Sequence, residues 1–464
     1  MPGDSLRCGY CLTEVRDIEA DTPVSAPPRN PSTHPLLRSL QRGLRRAWAL
    51  PKWLLLLALV AVLTGGWCGY GALKPERTLA LPAAQALSLP GSATFWPSTD
   101  GDNGHTRRTE VAVRLQSAHV AWETDLGVTI GGASVADAER LYLTTVDNRI
   151  VALKLTDGSV AWTFEEPAPI GEAPIVADGR LYVLTRSGSA VALDAATGAE
   201  LWRTRLDSHF YNSPALADGV LYAFGTTRAL YGLDSADGHL LWTIATGSEW
   251  ATLAPLVIEH SVVVATANNV NLYDRVSGAL TLQHPHSNVI GLAYSDGALF
   301  SVSSNFIARV DPTAHLPWWW GARGVRIQLW VWGFGPQPPR PGFEWSVSLR
   351  PARQPRNVPP PVVYAPTFDA GLIVVANADG TVRALDATTG AERWSIEAGV
   401  MTGAPVRTPD GILLPLRSGL SLRASADGSE VATFALPNAG TRSTVVTATG
   451  TYLVDRDGRT IALR

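Results

Sequence analysis

The chain is short of cysteine. It has three in 464 residues, Cys8, Cys11 and Cys68, and none follows residue 68. The large C-terminal part therefore cannot form an internal disulfide and must be held by packing alone. Charge is also sparse, at 17% of residues, and the formal net charge of -3 gives no general pull toward nucleic acid. G-x-S-x-G, P-loop and H-E-x-x-H patterns are all missing, so no hydrolase, nucleotide-binding or zinc-protease motif is on offer. What is abundant is glycine (42) and proline (33), which points to many short strands joined by tight turns. Apolar content of 46% is enough for a sizeable core.

One segment does not read as globular. Residues 53–73, "WLLLLALVAVLTGGWCGYGAL", are uncharged and long enough to span a bilayer at about 1.5 Å per residue. Arg38, Arg42, Arg45, Arg46 and Lys52 precede the run, against Lys74 and Arg77 after it. The positive-inside rule then places residues 1–52 in the cytoplasm and the rest outside, as a single-pass plasma (inner) membrane protein. A cleaved signal peptide fits less well, because the preceding stretch is too long for an n-region. Trp67 stands before Cys68 where lipidation needs a small residue.

From residue 122 a tryptophan returns every forty residues: Trp122, Trp162, Trp202, Trp242. The clearest unit is "VALDAATGAELW" (191–202). It recurs at 383–394, 231–242 and 151–162, and more weakly at 271–282 and 421–432, where Leu282 and Ala432 replace the tryptophan. A Pro-led apolar signature such as "EAPIVADGRLYV" (172–183) follows each anchor. Each unit reads as four short strands, a β-propeller blade. In the "LDAATG" turn, Asp194 can accept backbone N–H groups and Gly198 can supply the positive φ. The tryptophan offers a flat surface to lie between blades. Trp122, Trp162, Trp202, Trp242, Trp345 and Trp394 are accordingly structural anchors. Counting positions 122, 162, 202, 242, 282, 345, 394 and 432 gives eight blades. The last unit stops at Arg464 without its fourth strand. "SAHVAWETDL" (117–126) is expected to supply it and close the ring.

The expected organisation is a cytoplasmic tail (1–52), a transmembrane helix (53–73), an extracytoplasmic linker (74–116) and an all-β, eight-bladed propeller (117–464).

The unit "ALDAATGAELW" resembles the tryptophan-docking motif of the PQQ-like (quinoprotein alcohol dehydrogenase-like) β-propeller repeat family, roughly A-x-D-x-x-T-G-x-x-x-W. The resemblance covers residues 117–464. That family contains pyrroloquinoline-quinone (PQQ) enzymes and also a non-catalytic propeller of the outer-membrane-protein assembly machine, which this chain resembles most in style. One scaffold thus hosts enzymes and binders. The enzymes hold PQQ over the central channel with calcium and, often, a disulfide between adjacent cysteines. No propeller cysteine exists here, and the minimal blade spacing leaves little loop to roof a cofactor. Glu172 and Asn212 take the same position in adjacent repeats and could offer oxygens to calcium near the channel. His284 and His286, in "QHPHS", read as a turn.

In the tail, Cys8-x-x-Cys11 has the spacing of half a zinc site, which a dimer could complete. Gly65-x-x-x-Gly69 would let two membrane helices approach closely, as a homodimer would require. Residues 21–35 read as a disordered linker, and 36–50 as a basic amphipathic helix suited to anionic headgroups.

The repeat breaks once. "FIARVD" (306–311) should lead directly into its tryptophan strand, yet that strand, "FEWSVSL", begins only at 343. An insertion of about 315–342 therefore sits in one turn of one blade. "GVRIQLWVWGF" (324–334) alternates like a strand, so an extended arm or hairpin is expected. A second, basic insertion follows at 350–361. Six of the 16 tryptophans lie between 318 and 345. Trp318, Trp319, Trp320, Arg323, Arg326, Trp330 and Trp332 form a candidate partner-binding set, because Trp and Arg dominate binding hot spots. The same residues suit a membrane interface, or could pack on the ring itself. The leading expectation is a non-catalytic protein-interaction scaffold in a cell-envelope complex. The alternatives are a PQQ- and calcium-dependent oxidoreductase and a ligand-sensing membrane receptor.

Overall fold

A computed structural model describes residues 95–464 apart from 103, 247–252, 259, 318, 319, 335, 339, 350–362, 370 and 437–439. The described strands form eight four-stranded antiparallel sheets, the blades of a propeller. In blade 1 they are Val135–Ala136, Arg140–Thr144, Arg149–Lys154 and Val160–Glu165, running from the axis outward. Inner strands of neighbouring blades touch, including Val135–Ala136 of blade 1 against Thr441–Thr447 of blade 8. The closing strand Val120–Asp125 pairs with the last strand, Arg459–Leu463, with Trp122 opposite Ala462. The first and last parts of the chain thus share one sheet and leave no gap in the ring.

The core lies between blades. Tyr142, Ile150 and Ala152 of blade 1 pack with Val176, Leu181, Val183 and Val191 of blade 2. The middle strands carry these residues in almost unbroken apolar runs, since both of their faces are covered.

The repeated tryptophan and glycine belong to one contact. The indole N–H of Trp162 donates to Ala195 O of blade 2 at 3.0 Å, and its ring lies against Gly198. Gly198 has φ +74°, and a Cβ there would stand 2.6 Å from that ring. Trp122, Trp202, Trp345 and Trp394 make the same donation to Leu155, Ser235, Thr388 and Ser425. Trp242 differs: its ring lies over Gly232 of its own blade. Between blades 3 and 4, the buried Arg275 instead joins the Tyr222 hydroxyl (2.8 Å) and Asp218 (3.1 Å).

Two expectations are corrected here. The alternating stretch in the insertion is not a strand or hairpin but an α-helix, Arg323–Val331. Its half-buried residues Arg323, Ile327 and Trp330 recur at helical spacing, so one face turns toward the protein. "QHPHS" is not a turn either. His284 lies in the outer strand Leu280–Pro285 of blade 4, and both histidines are buried. No helix among the described residues is long and apolar enough to cross a membrane, and the run 53–73 lies outside them.

Candidate functional site

The centre of the ring is where this fold offers a site, and part of the chain itself runs through it. Residues 95–116, which sequence reasoning assigns to a linker, are built into the propeller. Trp96 pairs antiparallel with Ala136 on the inner strand of blade 1. The backbone then bonds to the inner strands of several blades. Val176 N–H donates to Pro97 O (3.0 Å), Tyr294 N–H to Gly104 O (2.8 Å), and Phe368 N–H to Thr106 O (3.1 Å). Arg407 N–H donates to Arg107 O (2.9 Å), and its own carbonyl accepts from Thr109. These partners belong to blades 1, 2, 5, 6 and 7. Innermost strands otherwise present an unpaired edge to the axis; here the segment 96–109 satisfies much of it.

Side chains lock the segment. Trp96 is buried, and Gly101 (φ +86°) turns the chain so close that a Cβ would lie 2.9 Å from the indole. The Arg107 guanidinium stands 5.5 Å from the Trp96 ring centre, pairs with Asp100 at 2.9 Å, and donates to Pro405 O at 3.2 Å. Asp102 accepts the Thr106 N–H at 2.9 Å and the Thr106 hydroxyl; burial holds its carboxyl above the usual range. Gly104 permits an approach that a side chain would block, since a Cβ there would meet Tyr294 O at 2.8 Å. Beyond the axis, Val113 N–H donates to Asp410 (2.8 Å). The short 3-10 turn Leu115–Ser117 then leads to the closing strand.

Glu172 keeps contact with water but is crowded by protein. That desolvation, and next the charge of Asp100, raise its carboxyl, while Arg442 opposes the shift. Asn212 is half-buried in the adjacent repeat. Calcium takes six to eight oxygens. Among the described residues no group of three His, Cys, Asp or Glu side chains is placed to hold a metal. The segment 96–109 runs along the axis beside them. Glu172 and Asn212 by themselves supply too few oxygens for calcium.

The insertion opens blade 5 at its outer turn. Asp311 N–H donates to Gly342 O at 2.7 Å, the bond that Asp194 N–H makes to Ala199 O in a regular blade, so the insertion lies between these two residues. Gly342 (φ +71°) lies close to Leu282, the residue that replaces the docking tryptophan of blade 4. Trp320, from the insertion, is buried; its indole donates to Gln283 at 3.2 Å, and Arg323 covers its ring at 4.7 Å. His284 stacks on Phe343, and His286 on Phe306 with Nδ1 2.5 Å from the Ser301 hydroxyl. Trp330 is half-buried and Trp332 exposed. Trp318, Trp319, the insertion at 350–361, Cys8 and Cys11 lie outside the described residues.

Sequence reasoning missed the axial segment. Its signal was local and faint: a Trp-Pro step and two glycines (101 and 104) ahead of the first repeat.

The family model for the outer membrane protein assembly factor BamB matches residues 91–174, 168–301 and 355–463. No curated protein matches. Among solved structures, BamB from Moraxella catarrhalis is similar with a TM-score of 0.53 at 18% identity, over 75% of this chain and 97% of that one. The quinohemoprotein alcohol dehydrogenase from Comamonas testosteroni gives 0.59 at 13%, over 81% of each. The computationally designed Ika8 protein gives 0.54 at 14%, over 74% and 98%. At these identities the likeness establishes the fold, which an assembly factor, an oxidoreductase and a designed protein share.

Proposed function

The chain belongs to the family of the outer membrane protein assembly factor BamB, and from that premise we propose that it is a membrane-anchored, extracytoplasmic, non-catalytic scaffold in a cell-envelope complex. One observation carries the reading: the segment 96–109 crosses the axis and bonds to five blades. A segment bonded across the axis to five blades braces the ring. A scaffold needs only a rigid ring and the surfaces around it.

Anchoring rests on the uncharged run 53–73 and its basic N-terminal flank. In each blade the first and third turns share one end of the ring; in blade 1, Leu155 N–H bonds to Glu139 O there. The opposite end carries the exposed Val146, Tyr211, Ile290 and Val400, and this is the end we assign to a protein partner.

Titration of the intact chain with PQQ and calcium, followed by tryptophan fluorescence and dye-coupled alcohol oxidation, tests the reading. The expected result is no saturable change and no turnover. Saturable binding with turnover would refute it. In-cell cross-linking with the intact chain should capture an envelope protein, and the double variant Tyr211→Glu/Val400→Glu should lose it.

A further inference from the structure

We propose that the arm helix Arg323–Val331 and the residues just after it are a lipid-contact element that seats one end of the ring on an anionic bilayer. The inference rests on the anchored reading above. Val325, Leu329 and Trp332 fall within about 60° of arc at 3.6 residues per turn. They are 63%, 39% and 57% exposed, and Phe334, just beyond the helix, is 52% exposed. The opposite face, Arg323, Ile327 and Trp330, is the half-buried one. The helix therefore packs with its more mixed side and offers an apolar stripe to its surroundings. From residue 312 to 343 the chain contains Arg323, Arg326 and Arg340 and no acidic residue. An apolar stripe with Trp and Phe, flanked by Arg326 in a segment without acidic residues, is the composition of a helix that lies in the headgroup layer.

The sequence leaves open a protein groove or a bilayer as the occupant. The topology favours the bilayer. The inner strand Val135–Ala136 runs toward the end of the ring that carries the first and third turns. Trp96 pairs with it antiparallel, so the chain enters the axis from that same end. The arm occupies the third turn of blade 5, between Asp311 and Gly342, and projects there too. The 21 residues 74–94 join the apolar run to this entry point and span at most about 75 Å. Chain entry and arm thus share one end of the ring, the end this proposal seats on the bilayer.

The test places a photo-crosslinking residue at Leu329 in the full chain, reconstituted into lipid nanodiscs. Parallel discs contain phosphatidylcholine alone or an equal mixture with phosphatidylglycerol. A control carries the probe at Val146, an exposed apolar residue on the opposite end of the ring. Lipid adducts at 329 should exceed those at 146 by at least about tenfold in the anionic discs and drop in the neutral ones. Arg326→Gln should lower the yield while the ring melts normally. Incorporation without adducts at 329, or equal yields in the two lipids, would overturn this inference alone. A chain that fails to enter the disc would overturn the anchored reading with it. Adducts to protein rather than lipid, in membranes of the producing cell, would make the arm a protein-docking element and overturn the proposal.

Discussion

Gly198→Ala is the sharpest perturbation of the ring, because a second glycine supplies its control. Gly198 has φ +74°, and a Cβ there would stand 2.6 Å from the Trp162 ring of the neighbouring blade. Gly179 has φ +71°, with nothing within 4 Å of an added Cβ. Both substitutions incur the left-handed penalty of about 1–2 kcal/mol. Only Gly198→Ala also forces the indole off its seat, an overpacking cost of about 1–3 kcal/mol. Gly198→Ala should therefore lose about 2–5 kcal/mol, and Gly179→Ala about 1–2. Denaturant melts followed by tryptophan fluorescence read both values. Trp162→Phe, which keeps an aromatic ring but removes the N–H to Ala195, should narrow the gap between them. Equal losses at 198 and 179 would refute the claim that glycine is present to seat the tryptophan.

Trp96→Ala removes a fully buried indole from the axial segment and should destabilise the ring by about 3–5 kcal/mol, seen as a lower denaturation midpoint. Acid sensitivity should centre on blade 4. Burial first, then neighbouring charges, pushes His284 down to about 4 and His286 to about 3. Folded, both stay neutral, whereas the unfolded chain takes up protons below about pH 6.5. Their contribution is therefore intact above about pH 6.5 and falls as pH drops toward the folded values. Melting temperatures from pH 7.5 to 4.5 should decline, and His284→Gln/His286→Gln should flatten the slope. Glu166, buried, takes Arg203 of blade 2 in a two-point pair at 3.0 and 2.9 Å, and Arg203 also reaches the exposed Glu200. Glu166→Ala should cost about 1–2 kcal/mol, below the value for a fully buried pair, and Glu200→Ala about 0–1. Equal losses would contradict that ordering.

The ring was legible because each blade repeats its reasons. The Asp–Gly turn, the tryptophan and the Pro-led strand recur, and the missing last strand could be matched to residues 117–126. The two places that departed from the pattern were read less well. The alternation in 324–334 suggested a strand, yet Arg323, Ile327 and Trp330 also meet helical spacing, and a stretch this short supports both periods. The histidines beside Pro285 read as a turn because proline marks turns; within an outer strand, proline is tolerated on an edge. The axial segment occurs once, so no repeat exposed it. Its bonds reach residues hundreds of positions away, such as Arg407, and such pairings leave no local pattern. Glu172 and Asn212 were matched by their equivalence in the repeat, but Asp100, whose charge acts on Glu172, lies in that unread segment.

Residue-resolved hydrogen exchange on the intact chain tests the filled axis most directly. The amides of Ala136, Val176, Tyr294 and Phe368 donate to carbonyls of Trp96, Pro97, Gly104 and Thr106. If the segment occupies the axis, these four amides exchange slowly and lose protection together in Trp96→Ala. If they exchange as fast as amides of exposed turns in the intact chain, the axis is open and the scaffold reading loses its main support.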